Sequence, residues 1–262
     1  TDSKEATVQP MPAGPTTPIA GLVTLYPGTG GPQTITNGID LDNNGGLVWI
    51  KNRTGGNNHV LTDTLTGPSQ YLSSNTQDAI GGTAFAITSF LESGFQLGAD
   101  GQANGSGFDY VAWTFGKAEG YFDVVQFTSS TADPFQTVPH SLGTKPGFII
   151  TKQIDGAGNW HCYHSAIGDG GYIVLNQTGG AALSDSWRTS DTDFQINSGV
   201  FYGSGPEVIA YLFAEDTPGV IKCGTYVGTQ NDQNIDVGFE AQWVLIKSPE
   251  DDDNWLILDT KR

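Results

Sequence analysis

Positive charge is scarce in this sequence: 11 lysines and arginines stand against 28 aspartates and glutamates, a formal net charge of −17. Without a basic surface a chain cannot neutralise phosphates and release their counterions, so no nucleic acid partner is expected. Anionic membrane surfaces are disfavoured for the same reason. Long apolar runs are missing too. The longest, Val208 to Ala214, has seven residues, against the roughly 20 that a spanning helix needs, so no membrane insertion is expected. Helical periodicity is nearly absent. No stretch of ten or more residues keeps a helical apolar period without glycine, which leaves room for at most one short helix, near 77–82 or 87–92. There is no Gly-x-Ser-x-Gly elbow, phosphate loop or paired-cysteine pattern, and the residues from Thr1 onward carry no apolar leader.

What is present is a core-forming composition and internal repetition. Hydrophobic residues make up 37% of the chain and aromatics 11%, while 36 glycines and 13 prolines stay below the range read as disorder. Residues 1–20 are rich in Pro, Thr and Ala and have no apolar period, which predicts an extended N-terminal arm or linker. From residue 21 one unit recurs. Val48-Trp49-Ile50-Lys51 returns as Ile149-Ile150-Thr151-Lys152 and as Val244-Leu245-Ile246-Lys247, each followed seven residues after the Lys by Asn58, Asn159 or Asn254. Asp109 to Phe115 matches Glu207 to Phe213, and Gly94-Phe95-Gln96-Leu97 matches Asp193-Phe194-Gln195-Ile196. Upstream of each Lys motif, Val23-Thr24-Leu25-Tyr26 lines up with Val124-Val125-Gln126-Phe127 and Cys223-Gly224-Thr225-Tyr226. The alignment gives a first copy at 21–120, a second at 121–219 and an incomplete third at 220–262.

Each copy reads as short runs rich in Val, Ile, Thr, Tyr and Trp between Gly, Asn, Asp and Pro clusters, the pattern of strands joined by tight turns. In the first copy the candidates lie near 22–26, 33–36, 47–52, 59–64, 70–74, 84–97 and 109–115. The expected fold is therefore all-β: tandem β-sandwich, jelly-roll-like repeats behind the arm. An arrangement in which two copies share one larger jelly-roll fits equally well. The Lys motifs are apolar on both strand faces, which places them centrally in a sheet. In the third copy strands are expected at 222–227, 233–237, 242–247 and 255–259. With no counterpart of Asp109 to Phe115, another polypeptide is expected to cover Trp243, Leu245 or their opposite-face neighbours.

The residues that could carry chemistry are few. Asp40-Leu41-Asp42-Asn43-Asn44-Gly45 matches the opening of a calcium loop, with Asp40, Asp42 and Asn44 as weak metal candidates. The twelfth position, where a bidentate Glu would sit, is Lys51, and the other copies lack the cluster, so an Asx turn feeding a strand is the competing reading. No second carboxylate flanks Asp40 and Asp42 as a glycosidase would need. Cys162 aligns with Leu61 and Ile257, and Cys223 with Val23 and Val124, so both are expected as free thiols in aliphatic positions. His164 takes the place of Asp63 and Asp259. Trp49, Trp113 and Trp243 lie in strongly apolar strands and are expected in the core. Trp160 and Trp255 sit beside the repeated Asn and are expected to be more exposed. Trp160, Trp255 and Trp243 are the candidate ligand or partner contacts.

Gly46 to Arg53, Tyr110-Val111-Ala112-Trp113, Phe122-Asp123-Val124-Val125 and Phe239 to Lys247 together resemble a tandem β-domain family of virion proteins in marine tailed bacteriophages, cyanophages included. The resemblance covers roughly 21–262. It implies a non-enzymatic virion structural protein of capsid or tail appendage, located in the extracellular particle. Its implied partners are other virion proteins or copies of itself, with host-surface glycan as a further contact. It brings no catalytic residues and no cofactor, calcium at the Asp40 cluster aside. The alternative is a carbohydrate-binding module or lectin of the concanavalin-like type, and a degenerate glycosidase stands third.

Overall fold

The computed structural model describes residues 21–82, 86–131 and 134–261; the arm expected at 1–20 lies outside the described residues. The chain is all-β, built of several small antiparallel sheets. The first copy supplies β1 (Val23–Pro27), β2 (Gln33–Thr36), β3 (Gly46–Asn52), β4 (Val60–Asp63), β5 (Gln70–Tyr71), β6 (Gly81–Gly82), β7 (Ile87–Leu91), β8 (Gly94–Leu97) and β9 (Asp109–Gly116). The second supplies β10 (Phe122–Thr128), β11 (Gln136–Pro139), β12 (Pro146–Gln153), β13 (Trp160–His164), β14 (Gly171–Val174), β15 (Ala182–Leu183), β16 (Trp187–Thr189), β17 (Asp193–Ile196) and β18 (Glu207–Ala214). The hairpin β19 (Asp216–Thr217) and β20 (Ile221–Lys222) leads to β21 (Trp243–Ile246) and β22 (Leu256–Asp259). The one helix among the described residues is α1 (Ser198–Phe201). The stretches 77–82 and 87–92, where a short helix was conceivable, instead contain β6 and β7. β7 pairs with β8 across a tight turn, and its β-branched and aromatic residues suit a pleated surface better than a helix.

The two full copies share strand order and register. The sheet β1-β9-β3-β4 corresponds to β10-β18-β12-β13, which continues through β14 to β15. Trp49 faces Trp113 and Val23 faces Trp113, as Ile150 faces Tyr211 and Val124 faces Tyr211. On the second sheet of each copy, Ile35 faces Phe95 as Val138 faces Phe194. Gly46 opens β3 at φ 155°, and a Cβ there would lie 2.3 Å from the Phe115 carbonyl, so only glycine lets β3 approach β9.

Strand alternation sends the side chains of β3, β9, β12 and β18 into different cores. Val48, Ile50 and Ala112 pack with Ile35, Phe95 and Leu97 in a cluster belonging to the first copy. Ile149, Ala210 and Leu212 do the same with Val138 and Phe194 in the second. The opposite faces meet in one shared cluster, where Trp49, Trp113 and Phe115 join Ile150, Trp160, Tyr211 and Phe213. Each fully buried side chain of this size contributes about 1.5–3 kcal/mol.

The third copy departs from expectation. Its β21–β22 hairpin forms, but 223–227 and 233–237 form no strand. In the full copies those segments pair with the seventh-to-ninth strand group, β1 with β9 and β2 with β8, and no equivalent partner stands beside them here. The hairpin needs only its own neighbour, so it survives. The apolar face of β21 is not bare either. Trp243 packs 5.3 Å from Phe115 and 6.4 Å from Phe213, and with Leu245 it joins the shared cluster. The first two copies thus pack against Trp243 and Leu245, while Leu256 and Leu258 of β22 are exposed. Among the described residues β21 pairs with β22 alone.

Candidate functional site

The repeated Lys ends its strand by capping the loop that follows. Lys51 Nζ donates to the Asn57 carbonyl, Lys152 Nζ to those of Gln153 and Gly156, and Lys247 Nζ to those of Ser248 and Asp251. Lys152 is wholly buried, and burial pulls its ammonium down to about 8. These lysines hold the loops from which the repeated Asn and the residue after it project.

That next residue is His59, Trp160 or Trp255 in the three copies, and it lies at the seams between them. Trp160 Nε1 donates to the carbonyls of Ser73 (3.1 Å) and Thr76 (3.0 Å) in the first copy. Trp255 Nε1 donates to Val174 O (3.1 Å) in the second. A second contact runs between the ninth strands and the end of the fourth. Tyr211 Oη donates to Asp63 Oδ2 (2.9 Å), and Trp113 Nε1 donates to Asp259 Oδ2 (3.1 Å). In both kinds of contact the second copy binds the first. The third binds the second through Trp255, and the first binds the third through Trp113. The contacts thus follow one another around a ring.

Between the copies lies a cavity of about 860 Å³, lined among others by Trp49, His59, Trp113, Asn176, Leu245 and Trp255. His59 Nδ1 accepts a hydrogen bond from Trp49 Nε1 at 2.8 Å, and its ring stacks near Trp113. Lys51 sits at the same cavity, its ammonium held below the ordinary lysine range by burial. Aromatic faces beside amide and imidazole groups can hold a polar ligand with apolar faces.

The expected site residues divide. Trp255 lies at the cavity, half-buried, with its ring 6.2 Å from Phe148. Trp160, expected to be more exposed, is fully buried because the first copy's residues 73–76 close over it. Trp243 is half-buried against the shared cluster, its Nε1 without a hydrogen-bond partner among the described residues. Asp40, Asp42 and Asn44 do not line the cavity. Asp40 accepts from the backbone and side chain of Asn43, which holds its carboxyl below the usual range and makes an Asx turn. Among the described residues no group of three or more His, Cys, Asp or Glu is placed to hold a metal. Addition of a chelator is expected to leave the melting temperature unchanged to within about 1 °C; a fall of many degrees in differential scanning calorimetry would favour calcium at Asp40, Asp42 and Asn44 over the Asx turn. Cys162 is buried opposite Ile150 and Ile173, and burial pushes the Cys223 thiol up to about 12.

The sequence did not single out Tyr211, Asp63 or Asp259 as joining residues. The available signal was the alignment of Asp63, His164 and Asp259 at one strand end. No curated protein and no solved structure matches this chain. The family model of a domain of unknown function, DUF7483, matches residues 22–262, and the chain belongs to that family.

Proposed function

We propose that the chain is a non-enzymatic structural component of a tailed-bacteriophage particle, built of tandem jelly-roll-like β-sandwich repeats. The observation that carries this reading is the pair of ring-wise contacts, Trp160 and Trp255 to backbone carbonyls and Tyr211 and Trp113 to carboxylates. They spend the most chemically capable side chains on holding repeats together, as a load-transmitting part requires. The motif resemblance to virion proteins points the same way, and an acidic surface suits a particle exterior. Quantitative mass spectrometry of gradient-purified particles tests it. The chain should be present at a fixed copy number per particle; recovery only in the soluble fraction of infected cells overturns the reading.

A second reading, a carbohydrate-binding module, is favoured by the aromatic-lined cavity at Trp49, Trp113 and Trp255. A glycan array decides it: selective binding abolished by Trp255→Ala supports it, and a blank array removes it.

A further inference from the structure

Asn-Gly pairs stand at Asn37, Asn44 and Asn104. Because the glycine has no Cβ, its backbone nitrogen is unshielded and can close on the amide carbon of the asparagine before it. What holds that amide decides whether it does, and the three sites differ. Asn104 is wholly buried. Its Oδ1 accepts from Thr29 N (2.9 Å), its Nδ2 donates to the carbonyls of Gly31 (2.6 Å) and Gly98 (2.8 Å), and Gly105 N donates to Tyr110 Oη (2.9 Å). Asn37 is half-buried, with Oδ1 accepting from Ile39 N and Nδ2 donating to Thr114 Oγ1, both at 3.0 Å. Ring closure at either site must first break these bonds.

Asn44 is exposed, and its side-chain amide makes no hydrogen bond among the described residues. The attacking nitrogen, Gly45 N, donates to Leu41 O at 3.2 Å, the long end of the ordinary range. Gly45 takes φ 79°, and a Cβ there would lie 2.9 Å from Thr64 Oγ1, so the turn requires the same glycine that leaves Asn44 open to attack. The backbone beyond it is engaged. Lys117 N donates to Gly45 O (2.9 Å) and Gly46 N to Thr64 Oγ1 (3.0 Å). Lys117 in turn pairs with the buried Asp123 at 2.8 Å, which ties the turn to the junction of the first two copies.

We propose that Asn44 is a site of spontaneous deamidation, which converts the turn before β3 to an aspartate or isoaspartate form. Gly45 N gives its proton to solvent base and bonds to Asn44 Cγ. The Cγ–Nδ2 bond breaks, and the nitrogen takes up a proton and leaves as ammonia, so that a five-membered succinimide remains. Water then opens the ring. Addition at Cγ restores the original backbone and leaves aspartate; addition at the backbone carbonyl routes the chain through Cβ and Cγ and leaves isoaspartate. Either product adds a negative charge beside Asp40 and Asp42. The isoaspartate form also lengthens the main chain by one carbon directly before Gly45, and so displaces the groups that meet Lys117 and Thr64. This goes beyond the virion reading and does not depend on it.

The test ages the full chain in mildly alkaline buffer and follows each Asn-Gly pair by peptide mapping, with electron-transfer fragmentation to tell isoaspartate from aspartate. Each hydrogen bond that must break first lowers the reactive population by about tenfold, so Asn44 should deamidate at least about tenfold faster than Asn37 or Asn104. In urea, where the three pairs share one environment, the rates should converge. Asn44→Gln should abolish the fast phase and leave the two slow sites unchanged. Purified isoaspartate form should show faster amide exchange at Gly46 and Lys117 than the fresh chain. Equal rates at the three sites in the folded chain, or an unmodified Asn44 there while all three react in urea, would overturn the proposal; unchanged exchange at Gly46 and Lys117 would overturn the coupling to the junction.

Discussion

Alanine at Trp160 is expected to lower the free energy of unfolding by about 3–5 kcal/mol, the range for truncating a large aromatic in a packed core. Trp160 is fully buried, and its indole donates to the carbonyls of Ser73 and Thr76 across the seam between the first two copies. The variant therefore loses packing and removes the indole donor from the Thr76 carbonyl, while Ser73 O keeps the Thr76 N–H. Trp160→Phe keeps much of the volume but not the donor, and should cost about 1–3 kcal/mol. Trp255→Ala, at a half-buried seam with a single carbonyl partner, should cost less than Trp160→Ala. Urea titrations read through the midpoint and slope give all three. A cost under about 1 kcal/mol for Trp160→Ala would mean that the seam does not hold the copies together.

Acid should destabilise the protein well before its carboxylates are protonated, and His161 is the main cause. Its ring lies 4.3 Å from that of Phe201, with Tyr172 and Tyr202 against its edges. Burial, with the Lys152 charge second, brings its pKa down to about 4. A depressed histidine pKa means that between about 6.5 and 4 the unfolded chain binds a proton that the folded chain refuses. The stability contributed by the neutral ring is thus complete above pH 6.5 and is lost as the pH falls toward 4. The full loss is roughly 3 kcal/mol. Burial lowers His140 and His164 too, which adds to the same direction. Asp63 works the other way. Burial raises its pKa despite hydrogen bonds from Leu65, Thr66 and Tyr211, so its protonation favours the folded state as the pH falls below its folded value. Melting temperatures measured from pH 7.5 to 4.5 should fall for the native sequence and fall less for His161→Phe, whose ring keeps the stack on Phe201. Parallel profiles for the two would show that His161 is not the group responsible.

Much of the backbone was legible from residue pattern. Apolar residues on both strand faces in Gly46 to Asn52 and Pro146 to Gln153 marked central strands, and both are flanked on both sides. The repeated Lys motif could be aligned from identity alone, but its task could not. Nothing in Val-Trp-Ile-Lys says that the ammonium folds back onto carbonyls one to six residues later. The third copy was legible only in its hairpin. A strand whose partner is its own neighbour is encoded locally, whereas 223–227 and 233–237 read as strands and stay unpaired because pairing depends on distant chain.

The sequence by itself determined that the chain is all-β, that a unit recurs along it, and that Trp49 and Trp113 face a core. Alternation cannot say whose core. Trp160, Asp63 and Tyr211 acquire their roles from partners 87 and 148 residues away, and only the tertiary structure brings those partners together.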